Sequence, residues 1–255
     1  MKGGGHISSK PGKARKVGWH NAIRHNRRQN PRRYGARATA FNALPSRAFF
    51  SPWLGAVGLL LISVVAPAMA RVPVILDFGD SLTAGYGLPR GEAFPVRLQA
   101  WLHERGIEAR VINAGVSGDT TAGGLARLDW ALADKPDLVI LALGSNDALR
   151  GIEPAAVRDN LGKMIEKIQA SGAKVLLLGM LAPTNWGAEY KRAFDRIFPD
   201  LAQAHHLPLY PFFLEGVAMK PELNQPDGLH PNEHGVAVLV DKIAPVVADL
   251  IRGAS

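Results

Sequence analysis

Residues 138–144, Leu-Val-Ile-Leu-Ala-Leu-Gly, are apolar from the first position to the closing glycine. A half-exposed strand alternates apolar and polar side chains, so a run without a polar face suits a strand covered on both sides, as in a parallel sheet between two helix layers. Residues 74–78 (VILDF) and 174–180 (KVLLLGM) have the same character. Five such β-rich segments are expected in all, at 72–78, 109–112, 137–143, 174–179 and 207–211.

Helical spacing fills the gaps between them, at 94–105, 121–133, 154–170, 189–205 and 234–251. In the third of these, Val157, Leu161, Met164, Ile165 and Ile168 recur every three or four residues, while Arg158, Lys163, Glu166 and Lys167 take the other face. Strand alternating with helix defines the α/β class with a mostly parallel sheet. Sites in such sheets lie at the carboxyl ends of the strands, where the strand order reverses.

The 255 residues divide sharply by charge. Residues 1–70 carry 12 of the 30 Lys and Arg and none of the 22 Asp and Glu, leaving 18 cations against 22 acids, a net −4, in residues 71–255. The overall charge of +8 therefore belongs to the N-terminal segment and does not make the remainder a nucleic-acid binder. Without cysteine, disulfides, thiolate metal sites and a cysteine nucleophile are excluded.

Residues 1–47 are too polar and self-repelling to bury a core and are expected to be unfolded. An uncharged run of 13 residues follows at 53–65, and the segment ends Ala68-Met69-Ala70. A basic flank, a short apolar run and small residues spaced for cleavage make residues 48–70 an expected signal peptide, cut after Ala70. The run is short for a membrane span, which takes about 20 residues. The basic flank is much longer than a signal requires, so a translation start downstream of Met1 is expected. Residues 71–255 are long enough for one domain with a substantial core.

Chemistry-bearing residues gather where strands should end. Phe78-Gly79-Asp80-Ser81-Leu82-Thr83 puts Ser81 on a strand-to-helix turn, with an exposed hydroxyl and a free N–H for acyl transfer, or with the capping role that Asp-Ser pairs also play. Asn113-Ala114-Gly115 closes the second strand, and Gly144-Ser145-Asn146-Asp147 the third. Gly115 offers an unencumbered N–H or a permissive turn; Asn146 offers an amide donor or an Asx turn. Near the C-terminus, Asp227-Gly228-Leu229-His230-Pro231 forms a loop in which a carboxylate three residues from an imidazole can orient it. His103, His205, His206 and His234 take surface or helix-end roles. A metal site from Asp227, His230 and His234 is disfavoured, because Pro231 breaks the helix that would put both imidazoles on one face.

These four blocks, in this order, resemble the SGNH (GDSL) hydrolases, and within that family the bacterial periplasmic thioesterase, lysophospholipase and arylesterase group. The likeness runs from about Val74 to Ile251. It implies a flavodoxin-like three-layer α/β/α sandwich around a five-stranded parallel sheet. It also implies a Ser81, His230, Asp227 triad, an oxyanion hole from the Ser81 and Gly115 N–H groups and the Asn146 side chain, and no metal or cofactor. Thr83 and Ser145 depart from the commonest residues at their positions without touching the four functional ones.

The implied activity is hydrolysis of carboxylic esters or thioesters (acyl-CoA, lysophospholipid or aryl ester) through an acyl-serine. Leu149, Leu181, Trp186 and Phe212 are the candidate acyl contacts. The expected protein is a periplasmic or secreted monomer with a small-molecule substrate, no nucleic-acid partner and no membrane span after cleavage. A membrane-anchored esterase and a polyanion-binding protein using the basic segment are the alternatives.

Overall fold

The computed structural model describes residues 71–253. Five strands, β1 (Val74–Gly79), β2 (Arg110–Gly115), β3 (Leu138–Ala142), β4 (Lys174–Leu178) and β5 (Leu209–Tyr210), form one parallel sheet in the order β2-β1-β3-β4-β5. Among the described residues, eight α-helices are formed: α1 (Ser81–Ala84), α2 (Phe94–Glu104), α3 (Thr121–Ala131), α4 (Ser145–Leu149), α5 (Pro154–Ala170), α6 (Ala188–Asp195), α7 (Ile197–His205) and α8 (Glu233–Arg252). Helix α2 packs on α8, while α3 packs on α5 and α5 on α7, giving helices on both faces of the sheet. This is the expected α/β/α sandwich. The expected signal peptide and basic segment lie outside the described residues.

The apolar runs end up where their lack of a polar face requires. Every residue of β1 and β3 is buried, whereas β2, at the sheet edge, leaves Arg110 and Asn113 exposed. Helix ends follow local chemistry: Thr120 caps α3 by accepting the Gly123 N–H at 3.4 Å, and Asn232 caps α8 by accepting that of Gly235 at 3.0 Å. The core-facing row of α5 is the one its spacing predicts.

Two departures have physical causes. The single helix expected over 189–205 is two, α6 and α7, meeting at Arg196. Pro199 has no N–H to give the Asp195 carbonyl, so the helical ladder breaks there. The segment after β3, where the spacing predicts no helix, begins the short helix α4, because positive φ (122°) at Gly144 redirects the chain straight into it.

The strand order reverses between β1 and β3, so the loops leaving these neighbours diverge and open a crevice at their carboxyl ends. Asp77 lies in β1 below that crevice, fully buried, with Oδ1 accepting the Thr83 hydroxyl at 3.1 Å and Oδ2 without a partner. Burial, only partly opposed by the Thr83 bond and reinforced by the charge of Asp80, pushes its pKa from 3.8 up to about 7. As pH rises through that window the unfolded chain gives up the proton first and the native state keeps it. Stability therefore falls with rising pH, and the full penalty is present above pH 7. Asp77→Asn cannot ionise; in denaturant unfolding, wild type should lose about 3 kcal/mol more than the variant between pH 5 and pH 8. Parallel pH profiles would show that Asp77 is ionised in the fold throughout.

Candidate active site

Ser81 is the first residue of α1, directly after β1, and is nearly buried. Asp80 caps this helix: its Oδ1 accepts the Leu82 N–H at 3.0 Å, which leaves the Ser81 N–H at the open end of the turn. The hydroxyl of Ser81 lies 2.9 Å from His230 Nε2, and His230 Nδ1 lies 2.6 Å from Asp227 Oδ2. Three side chains separated by up to 149 positions thus form one hydrogen-bonded chain, with the carboxylate and hydroxyl on opposite edges of the imidazole.

The loop bearing Asp227 and His230 is tightly braced. Asp227 Oδ1 accepts the backbone N–H groups of Leu229 (2.9 Å) and His230 (3.0 Å), so the carboxylate shapes the turn as well as binding the ring. Partial burial raises its pKa, but the His230 N–H, the His230 ring and the Leu229 N–H outweigh that and hold it at about 2. Asp227 is therefore ionised at neutral pH, the state that favours an Nδ1–H tautomer and a developing imidazolium.

Gln225 fastens the loop to the nucleophile segment. Its N–H donates to the His230 carbonyl (2.7 Å), and its side-chain amide donates to the carbonyls of Tyr86 (2.7 Å) and Pro231 (3.0 Å). A Cβ on Gly87 would lie 2.1 Å from Gln225 Oε1, so the staple needs glycine there. The Tyr86 ring sits 4.7 Å from that of His230, flanking it. Sequence reading missed both, since a loop glutamine and a loop tyrosine carry no spacing signal.

Asn146 lies on α4 with its amide 3.3 Å from Asp80 Oδ2, which also accepts the Ser145 hydroxyl. Asp80 is buried; burial raises its pKa, opposed by Ser145, the Leu82 N–H and Asn146. One amide hydrogen of Asn146 is thereby anchored.

Gly115 does not offer a free donor: its N–H is taken by Asn113 Oδ1 at 2.9 Å. Its lack of a side chain serves packing, because a Cβ would lie 2.2 Å from the Ala84 nitrogen where α1 passes over β2. The expectation for Gly115 as an oxyanion donor is therefore corrected. Three residues on, Gly118 takes φ 85° as the third residue of a turn closed by Asp119 N–H on Val116 C=O (3.1 Å), and among the described residues its N–H has no acceptor. Positive φ at that position belongs to a type II turn, and the Ser117-Gly118-Asp119 sequence carried that signal.

Of the candidate acyl contacts, Leu149 at the end of α4 and Leu181 and Trp186 after β4 are exposed at the same edge. Trp186 Nε1 donates to the Ala148 carbonyl (2.9 Å), which holds its ring against Gly151 beside Leu149. Phe212, half-buried after β5, makes no described contact with the triad.

The same arrangement has relatives. Residues 78–238 match the model of the GDSL-like lipase/acylhydrolase family. The chain is 42% identical to Esterase TesA of Pseudomonas aeruginosa across 77% of its own length and 96% of the relative's. It is 38% identical to Thioesterase 1/protease 1/lysophospholipase L1 of Escherichia coli across 72% and 87%. Among solved structures, the SGNH-hydrolase family esterase AlinE4 aligns with a TM-score of 0.61 at 51% identity, covering 71% of this chain and 98% of that one. The psychrotrophic esterase EstA from Pseudoalteromonas, solved inhibited by monoethylphosphonate, aligns with a TM-score of 0.67 at 33% identity, covering 70% and 98%.

The chain belongs to the GDSL-like lipase/acylhydrolase family. It is accordingly a hydrolase acting on ester bonds. For a GDSL hydrolase, the geometry around His230 makes a sharp demand on one atom. Asp227→Asn keeps the size of the side chain but not its charge or its preference for Nδ1–H; kcat should fall about 10⁴-fold while circular dichroism is unchanged. A fall of less than tenfold in the folded variant would remove Asp227 from the proton path.

Proposed function

We propose that residues 71–255 act as a serine esterase and thioesterase through an acyl-Ser81 intermediate. His230 Nε2 takes the hydroxyl proton as Ser81 Oγ attacks the acyl carbon, and Asp227 balances the imidazolium. That proton then passes to the leaving alcohol or thiol as its bond to the acyl carbon breaks. Water, deprotonated by the same nitrogen, attacks the acyl-enzyme and restores Ser81. The Ser81 N–H, the Gly118 N–H and the Asn146 amide are the donors for the oxyanion, each worth about 3 to 4 kcal/mol by mutational precedent.

The observation that carries this reading is the chain of contacts from Asp227 through His230 to Ser81, at 2.6 and 2.9 Å. Gly118 is supported by its free N–H and by β2 lying in register beside β1, which sends both donor loops off the same sheet edge. The exposed apolar side chains Leu149, Leu181 and Trp186 favour an aliphatic or aryl acyl group at that edge. A thioesterase and lysophospholipase and an arylesterase of Vibrio mimicus, 41% identical, are among the relatives, which supports acyl-CoA, lysophospholipid and aryl esters as the substrates to try.

Ser81→Ala should lower kcat on such esters by roughly six decades, with the fold retained. Full activity in the folded variant would end the acyl-serine mechanism. Ranking purified wild type on the three ester classes then fixes the preferred acyl donor.

Export rests on the sequence of residues 48–70, with its basic flank, 13-residue apolar run and Ala68-Met69-Ala70 ending. No helix among the described residues is long and apolar enough to cross a membrane. N-terminal sequencing of the exported enzyme should begin at Arg71; a product retaining residues 53–65 would be membrane-anchored instead.

A further inference from the structure

Two of the three proposed oxyanion donors are backbone N–H groups on separate loops, and hydrogen bonds of the sheet do not reach either. The β1–β2 ladder ends at the Gly79 and Gly115 pair, with one further bond from Val116 N–H to Gly79 C=O (3.1 Å). Ser81 lies two residues beyond Gly79, and Gly118 three beyond Gly115. Their separation decides whether both can point at one oxygen, and an oxyanion hole loses its advantage if its donors must reorganise during the reaction.

Arg127, on α3, spans this gap. Its Nη2 donates to the Gly79 carbonyl (2.9 Å), its Nη1 to the Ala114 carbonyl (2.9 Å) and its Nε to Asp119 Oδ2 (2.6 Å). Gly79 precedes the nucleophile turn, Ala114 is the last residue but one of β2, and Asp119 closes the turn that contains Gly118. The guanidinium lies 4.0 Å over the Phe78 ring, and four-fifths of the Arg127 side chain is shielded from solvent. A planar fork with donors in fixed directions can meet three acceptors at once; an ammonium on a flexible stem cannot hold them in one plane. Arg150 steadies the same turn from the other side, its Nη2 on the Gly118 carbonyl at 3.0 Å.

We infer that Arg127 is a positioning residue for the oxyanion hole, fixing the Gly118 turn against the nucleophile turn through its simultaneous bonds to Gly79, Ala114 and Asp119. It touches neither substrate nor reacting atoms. The inference rests on the acyl-Ser81 reading and adds to it the element that sets the spacing of the two backbone donors. Substrate binding draws mainly on the acyl contacts at the mouth, whereas the oxyanion donors act as charge develops. Losing the clamp should therefore lower kcat and leave KM nearly unchanged.

The test compares Arg127→Met, Arg127→Lys and Asp119→Asn with wild type in the full domain, using an aryl ester and a phosphonate ester that phosphonylates the serine through a tetrahedral, oxyanion-bearing state. Arg127→Met should lose roughly 10- to 100-fold in kcat with KM within about twofold, and its phosphonylation rate should fall by the same factor. Arg127→Lys, which keeps the charge but not the fork, should recover less than half of the logarithmic loss. Arg158→Met, which removes a remote arginine paired with Asp200 at 3.0 Å, controls for loss of a cation and should match wild type. If Arg127→Met does not fold, Arg127→Lys and Asp119→Asn carry the same readouts, each with a kcat loss of at least fivefold expected. A folded variant of Arg127 with wild-type kcat, or one whose loss lies in KM, overturns the inference. Ser81→Ala separates the two levels. Activity in that variant would overturn the acyl-serine reading itself, whereas an inactive Ser81→Ala beside a fully active Arg127→Met would overturn only the role of Arg127.

Discussion

A buried carboxylate that cannot be left unpaired organises this site. Asp80 has no solvent exposure, and its two oxygens receive the Leu82 N–H, the Ser145 hydroxyl and the Asn146 amide. Each bond joins parts that must agree. The first starts the helix that presents Ser81, and the other two draw α4 against it across the point where β1 and β3 diverge. A buried polar group left without its hydrogen-bond partner costs about 1 to 3 kcal/mol, so the donors and Asp80 are held to one arrangement. The spacing between Ser81 and the Asn146 amide is thus enforced by the penalty for breaking it.

Asp77, three residues earlier and inside β1, shows how much those partners matter. It too is fully buried, but it has one donor and an orphaned oxygen, and burial takes its pKa to about 7. The neighbouring Asp80 carboxylate adds to that rise, so Asp77 keeps its proton below about pH 7. Asp227 is the opposite case, because its backbone and imidazole donors keep it ionised down to about pH 2.

The sheet was legible in the sequence because its central strands are buried on both faces, and burial on both faces leaves runs such as residues 138–144 that no surface element tolerates. The contact chain from Asp227 through His230 to Ser81 was legible because these residues are chemically distinctive and occupy strand-end or loop positions. What could not be read was local backbone geometry. Pro199 splits a helix whose apolar spacing continues across the break, and periodicity alone does not register a missing N–H. Gly115 ends β2 and Gly118 lies in the turn beyond it; only coordinates reveal that the N–H of the first is spent on Asn113 while that of the second has no acceptor among the described residues. Arg127 and Gln225 each reach one carbonyl far away in sequence, those of Gly79 and Tyr86, and no local pattern betrays such a bond.

The acyl side of the crevice follows a different logic from the proton-transfer side. Leu149 and Asn146 sit on the same one-turn helix, and Trp186 is fastened to that helix by its bond to the Ala148 carbonyl, with Gly151 bare of a side chain so that the indole can lie flat. An acyl chain resting on Leu149 and Trp186 therefore presses on the element that carries the amide donor. Helix α4 is held below by Asp147, whose carboxylate takes the Thr121 N–H (2.9 Å) and hydroxyl (2.7 Å) at the start of α3. Helix α3 in turn carries Arg127 and begins two residues after the Gly118 turn ends on Asp119. The proposed acyl contacts, amide donor and backbone donor are thus linked through helices α4 and α3 and one buried carboxylate. Under the proposed function, a change in acyl length that shifts α4 should be felt in the chemical step as well as in binding, because Leu149, Trp186 and the proposed oxyanion donors share the same support.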